Sequence, residues 1–192
     1  QILFENYVSS INTVNTVSTA AAGAAGGPAP STGGGGTPSY TALTDANITT
    51  AKDLWFSDQA AAEAEYGPIG QWNTTAVTDM SDLFDDKRTF NEDISAWDVS
   101  NVTTMAQMFQ NARDFNQPIG SWDVSSVTDF SRTFYQAYDF NQDLNSWSIT
   151  GGEDLGGMFS FAISFNQNLN NWNVTKTTQC GVMFTGASAF NG

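Results

Sequence analysis

Residues 90–112 read FNEDISAWDVSNVTTMAQMFQNA. The pattern returns as FNQPIGSWDVSSVTDFSRTFYQA from Phe115, FNQDLNSWSITGGEDLGGMFSFA from Phe140 and FNQNLNNWNVTKTTQCGVMFTGA from Phe165. Three aromatic series keep one 25-residue step: Phe90, Phe115, Phe140, Phe165 and Phe190; Trp72, Trp97, Trp122, Trp147 and Trp172; Phe84, Phe109, Phe134, Phe159 and Phe184. A fixed period in the twenties is the signature of a solenoid. With the leading Phe as position 0, apolar residues recur at 0, 4, 7, 9, 12, 15, 19 and 22, which in the first full copy are Phe90, Ile94, Trp97, Val99, Val102, Met105, Phe109 and Ala112. One such copy has nothing of its own to bury this row against, so stacking the next copy on it makes each position a rung of a continuous core.

The expected core ladder is therefore Phe90, Trp97, Phe109, Phe115, Trp122, Phe134, Phe140, Trp147, Phe159, Phe165, Trp172 and Phe184. Position 1 is always Asn, at Asn91, Asn116, Asn141, Asn166 and Asn191. An amide fixed beside a core aromatic predicts an asparagine ladder from copy to copy. The plainer alternative is a turn residue that Asn simply tolerates. Phe-to-Trp reads as a short strand with Trp inward, Val99 and Val102 flank a second extended or turn segment, and Met105 to Ala112 reads as a turn of helix.

These residues resemble the BspA-like leucine-rich-repeat surface proteins, in particular the subgroup with 25-residue FNQ-DI-SWDVS-VT-M-MF repeats. The resemblance runs from Asp45 to Gly192, with drift: Gly151-Gly152-Glu153 replaces Ser-x-Val, and Cys180 stands where Met80, Met105, Phe130 and Leu155 stand elsewhere. It implies a right-handed leucine-rich-repeat-like coil with short strands and brief helical turns, in an extracellular setting, and carries over no catalytic residues. The fold class expected is thus an α/β repeat solenoid with a helical N-terminal cap.

The rest of the chain divides by composition. Residues 1–19, QILFENYVSSINTVNTVST, are too apolar for an inert tail and read as a docking segment or strand donor. Residues 20–39 are a Gly/Ala/Pro-rich linker, able to span about 25 Å as a random coil. Residues 40–71 read as a helical cap that shields the first copy: Thr44 or Asp45 starts one helix, Ser57 or Asp58 the next, and Gly67-Pro68 stops it. Residues 72–192 are the repeats. No run approaches a membrane span of roughly 18 apolar residues. A chain beginning at Gln reads as processed, its export signal already removed, so the expected location is extracellular or the cell surface.

Net charge is −14, with six Lys plus Arg and no His. Phosphate binding needs a basic face, so nucleic acid is not expected as a partner. Without His no nucleophile–base pair can be assembled from the repeats, and no enzyme, cofactor or metal site is assigned. A row such as Asp93, Asp98, Asp123, Asp143 and Glu153 could hold calcium loosely, but solvated turn carboxylates are the commoner reading. The Trp series could stack on sugars, yet its place in an apolar ladder favours core, and Trp55 belongs to the cap. Cys180, also in an apolar ladder, is expected to be buried. Sequons place candidate N-glycans at Asn47, Asn73, Asn101 and Asn173, with Asn73 and Asn173 sharing one polar repeat position. Ser31, Thr32 and Thr37 near prolines are weaker O-linked candidates. The leading functional reading is a structural or adhesive protein joining copies of itself head to tail. The next is a module presenting one face to a glycan or another surface protein. An enzyme would need its site in the first 40 residues.

Overall fold

The computed structural model describes residues 39–191. The chain divides into two units, Gln1–Thr37 and Pro38–Gly192. The expected docking segment and nearly all of the linker lie outside the described residues.

Two short helices open the second unit, α1 (Ile48–Ser57) and α2 (Gln59–Tyr66), followed by a 3-10 turn at Ile69–Gln71. Asp58 starts α2 by accepting the Ala61 N–H, and Gly67 ends it at φ 80°, where a side chain would be strained. The first helix does not begin at Thr44 or Asp45. Its N-cap is Asn47, whose side chain reaches backward to the Thr44 N–H instead of into the helix. Asp45 is used elsewhere: its carboxylate accepts from the Thr78 N–H at 2.7 Å, the Thr78 hydroxyl at 2.6 Å and the Asp79 N–H at 3.1 Å. In later copies that N–H bonds the carbonyl at the same position of the preceding copy, as Thr103 does to Thr78 at 2.8 Å. Asp45 supplies the acceptor that no earlier copy provides. The apolar side of the cap meets the first copy through Trp55, edge-on to Trp72 at 6.2 Å, and Phe56, near Phe84 and Phe90.

From Trp72 onward, successive copies stack in register. Position 14 forms single parallel bridges from Asp79 to Thr104, Asp129, Asp154 and Gln179. No strand longer than such a bridge is assigned among the described residues, so the Phe-to-Trp segment is not a strand, and it ends in a turn in which the Trp97 N–H bonds the Ile94 carbonyl at 3.0 Å. Met105–Ala112 is not helical either. Alternate N–H groups leave the copy: Met105, Gln107, Phe109 and Asn111 donate to the carbonyls of Asp129, Ser131, Thr133 and Tyr135 at 2.9, 2.8, 2.9 and 2.7 Å. Those between them close local turns, Met108 to Met105, Gln110 to Gln107 and Ala112 to Phe109. A helix would keep all these donors to itself; sharing them with the next copy produces a run of overlapping turns.

Such turns need left-handed backbone twice per copy, at positions 17 and 21. Asp82, Gln107, Arg132 and Val182 have φ of 56, 59, 54 and 54°, with Gly157 at 65° in the same row. Asp86, Asn111, Gln136 and Phe161 have φ of 56, 59, 57 and 58°, with Gly186 at 72°. Each non-glycine residue there costs about 1–2 kcal/mol, offset by the bonds between copies.

The core is one continuous cluster from Leu43 to Phe165. Phe84, Phe109, Phe134, Phe159 and Phe184 stack at 5.6–5.7 Å between ring centres. Each also lies 3.9–4.1 Å from the leading Phe that follows it, so two phenyl columns interleave.

Candidate functional site

Along one edge, four Asn of position 1, Asn91, Asn116, Asn141 and Asn166, are acceptors for the copy that follows. Asn91 Oδ1 accepts the Asn116 N–H at 2.9 Å and Gln117 Nε2 at 2.9 Å. Asn116 Oδ1 accepts the Asn141 N–H at 3.0 Å and Gln142 Nε2 at 2.8 Å. Asn141 Oδ1 receives the Asn166 N–H and Gln167 Nε2 in the same way, and Asn166 receives the Asn191 N–H at 3.3 Å. The Asn oxygens accept from the next copy's backbone N–H and Gln side chain, and no Asn side chain of this row donates to another among the described residues. Gln117, Gln142 and Gln167, which also bond the preceding Asn carbonyl, were not among the residues singled out from the sequence. Their signal was there, a Gln after the Asn in three successive copies.

Phe90, Trp97, Phe109, Phe115, Trp122, Phe134, Phe140, Trp147, Phe159 and Phe165 are buried, while Trp172 and Phe184 are partly buried. The indole N–H groups of Trp97, Trp147 and Trp172 donate to the carbonyls of Ile69, Ile119 and Leu144 in the preceding copy. Trp122 Nε1 is buried with no acceptor among the described residues, and nothing in the structure explains the missing bond. Trp55 packs in the cap.

Cys180 is exposed, contrary to expectation. It lies in the last full copy, on which no further layer packs among the described residues, so its ladder position is uncovered.

The carboxylates of Asp98 and Asp123 are occupied by their own turns. Asp98 accepts the Ser100 N–H and hydroxyl, and Asp123 the Ser125 N–H. Asp93 does the same with Ser95 and Asp143 with Asn145, whereas Glu153 is simply exposed. Bonds from Ser95, Ser100 and Ser125 hold the pKa values of Asp93, Asp98 and Asp123 below the ordinary carboxylate value, with Asp98 pushing Asp123 slightly the other way. Asp82 is raised, by desolvation first and then by Asp85 and Asp79. Among the described residues no three metal-ligating side chains are placed to share an ion.

Of the sequon residues, Asn73 and Asn173 are exposed, with Oδ1 accepting the N–H of Thr75 or Thr175 and no partner for Nδ2 among the described residues. Asn101 donates Nδ2 to the Thr75 carbonyl, and half-buried Asn47 donates its own to the Ala42 carbonyl.

Two concavities stand out among the described residues. A hollow of about 560 Å³ on the last copy is lined by Leu169, Trp172, Val174, Met183, Phe184 and Phe190 among others. A groove of about 500 Å³ on the turn face is lined by Gln107, Arg132, Tyr135, Asp154, Gln179 and Val182, over Gly156, Gly157 and Gly181. Beside it Phe161 meets Tyr135 edge-on at 5.8 Å.

A family model described as "Mycoplasma protein of unknown function, DUF285" matches residues 52–160 and again 149–192. The chain belongs to this family. The DUF285 matches overlap, start inside α1 and run through every copy, so the family pattern takes in part of the cap as well as the repeats. Neither the curated proteins nor the solved structures gave a match. Among the described residues no helix is long and apolar enough to cross a membrane.

Proposed function

We propose that the stacked copies are a leucine-rich-repeat-like α/β solenoid of the BspA-like surface-protein type, acting outside the cell as a non-catalytic structural or adhesive element that joins copies of itself head to tail. Membership of DUF285 and the 25-residue FNQ…SWDVS pattern support the relationship. The observation that carries the assembly is how copies join: at positions 15, 17, 19 and 21 the N–H groups of one copy donate to carbonyls of the next, a contact that a matching segment of another molecule can repeat. Phe4, Val8 and Ile11 of the leading segment repeat the 0, 4, 7 spacing of Phe, Ile or Leu, and Trp. That segment, lent by another molecule, would accept such backbone bonds and cover an apolar row in the same way. Joined this way without closing a ring, the copies form a filament.

Sedimentation velocity of the full chain and of a variant lacking Gln1–Thr19 tests the reading. Concentration-dependent polymers in the first and folded monomers in the second support it. A full chain that stays monomeric at high concentration overturns it.

A second reading, a module presenting one face to a glycan or another protein, is favoured by the exposed apolar side chains at the groove, Val182 in its lining and Phe161 beside it, 68% and 40% exposed.

A further inference from the structure

We propose that the groove on the turn face is a binding site for a neutral oligosaccharide, a deepening of the second reading above. The groove exists because three glycines replace side chains. Positions 16 and 17 carry Ser81 and Asp82, Ala106 and Gln107, and Ser131 and Arg132 in the first copies, then Gly156 and Gly157, and then Gly181 and Val182. A Cβ added at Gly157 would lie 3.4 Å from Arg132 Cγ and 3.9 Å from Val182 Cγ2, so the gap runs between these two residues. A Cβ at Gly181 would meet nothing within 4 Å.

Sugar recognition needs an aromatic face for the ring C–H groups and planar polar side chains that reach paired hydroxyls. Tyr135 lines the groove and is braced edge-on by Phe161. Arg132 brings a fork of donors and forms no ion pair among the described residues. Asp154 spends Oδ1 on the Gly156 N–H at 2.7 Å, leaving its second oxygen to accept. Gln107 spends Nε2 on Asp82, leaving its carbonyl. Gln179 offers both kinds of group. Together these supply donors and acceptors in one lining, the mixture that hydroxyls need. The volume, about 500 Å³, falls within the usual range for small-ligand sites. The two charges of the lining, Arg132 and Asp154, offset one another, so the groove itself suits a neutral sugar, and the net charge of −14 on the whole chain disfavours a carboxylated or sulfated one.

The test is an amide-resolved NMR titration of the full chain with lactose, cellobiose and diacetylchitobiose, and with 3′-sialyllactose as the acidic counterpart. The expected result is saturable shifts at the amides of Gly156, Gly157 and Gly181 with at least one neutral disaccharide, and weaker binding of the acidic sugar. Arg132→Ala and Tyr135→Ala should each weaken binding at least tenfold. Gly181→Leu, which fills the groove without touching the core, should abolish it in a protein whose other amide shifts are unchanged. If a sugar binds and Gly181→Leu binds it equally, the groove assignment is wrong while the binding-module reading survives. Preference for the acidic sugar overturns the charge argument and the proposal with it. If no sugar shifts any amide, the proposal and the glycan form of that reading fail together.

Discussion

Replacing Asn116 by Ala removes a single oxygen that serves two donors of the next copy. Asn116 Oδ1 takes the Asn141 N–H at 3.0 Å and Gln142 Nε2 at 2.8 Å. Gln142 keeps a second acceptor, the Asn116 carbonyl at 2.9 Å, so its loss is partial. The Asn141 N–H has no other acceptor among the described residues, and it is part-buried. One lost bond and one partly unsatisfied donor together cost about 1–3 kcal/mol. For a domain of this size that lowers the melting temperature by about 2–4 °C per kcal/mol. Asn116→Asp is the control. The oxygen is the only side-chain atom of Asn116 with a partner among the described residues, so an ionised carboxylate should replace it at neutral pH. Its folded pKa would then lie below the unfolded value of about 3.9, so the stability it restores is present above that value and lost as pH falls through the folded one. Thermal melts of the three proteins between pH 3 and 7 measure this. If Asn116→Asp is as unstable as Asn116→Ala at pH 7, or Asn116→Ala melts like the parent, the ladder does not bear on stability as argued.

Trp122→Ala should cost about 3–5 kcal/mol as a buried ring is lost. Trp147→Phe should be worse than Trp122→Phe by about 1 kcal/mol in urea unfolding, because only Trp147 gives up an indole bond, to the Ile119 carbonyl. Asp45→Ala should destabilise the protein at neutral pH, and the deficit should shrink on acidification. The Thr78 bonds lower the folded pKa of Asp45, so its contribution is present above the unfolded pKa and disappears as pH falls through the folded one. Val182→Asn should raise the melting temperature, since a β-branched residue at φ 54° is strained and Asn tolerates that region at about 1 kcal/mol less. In a host that N-glycosylates secreted proteins, glycopeptide mass spectrometry should find sugar at Asn73 and Asn173 before Asn47 and Asn101, whose Nδ2 atoms are already bonded.

The buried row was legible because stacking forces the same positions inward in every copy, and the period alone gives their register. The backbone between them was not. Met105–Ala112 has helix-like spacing of apolar residues, but the next copy's carbonyls compete for every second N–H. The left-handed positions leave no mark in composition either, since Asp82, Gln107, Arg132 and Val182 share nothing as side chains. Only the scattered Asp82, Asp86, Asn111, Gly157 and Gly186, types that tolerate left-handed backbone, hint at them. Asp45 was misread as a helix start because a cap for a helix and a cap for a stack use the same chemistry, a carboxylate offered to free N–H groups. The groove was invisible in sequence, since it depends on Gly156, Gly157 and Gly181 falling side by side in adjacent copies.

Why position 1 is an amide in every copy follows from the stacking itself. Only the oxygen of the side chain is used, so for one copy in isolation Asp would bond as well as Asn. Copies in such a stack repeat at about 5 Å. Unit charges at that spacing repel by about 1 kcal/mol per neighbouring pair in water and about 3 kcal/mol at an effective dielectric of 20. Five carboxylates in one column would undo what their hydrogen bonds contribute. The row of Asn73, Asp98, Asp123, Ser148 and Asn173 shows the same limit from the other side. There two carboxylates stand on adjacent copies, each bonded to its own Ser, and Asp98 already works against the ionisation of Asp123. A repeat protein cannot choose residues copy by copy; a side chain that suits one rung must also suit the copy of itself on the next.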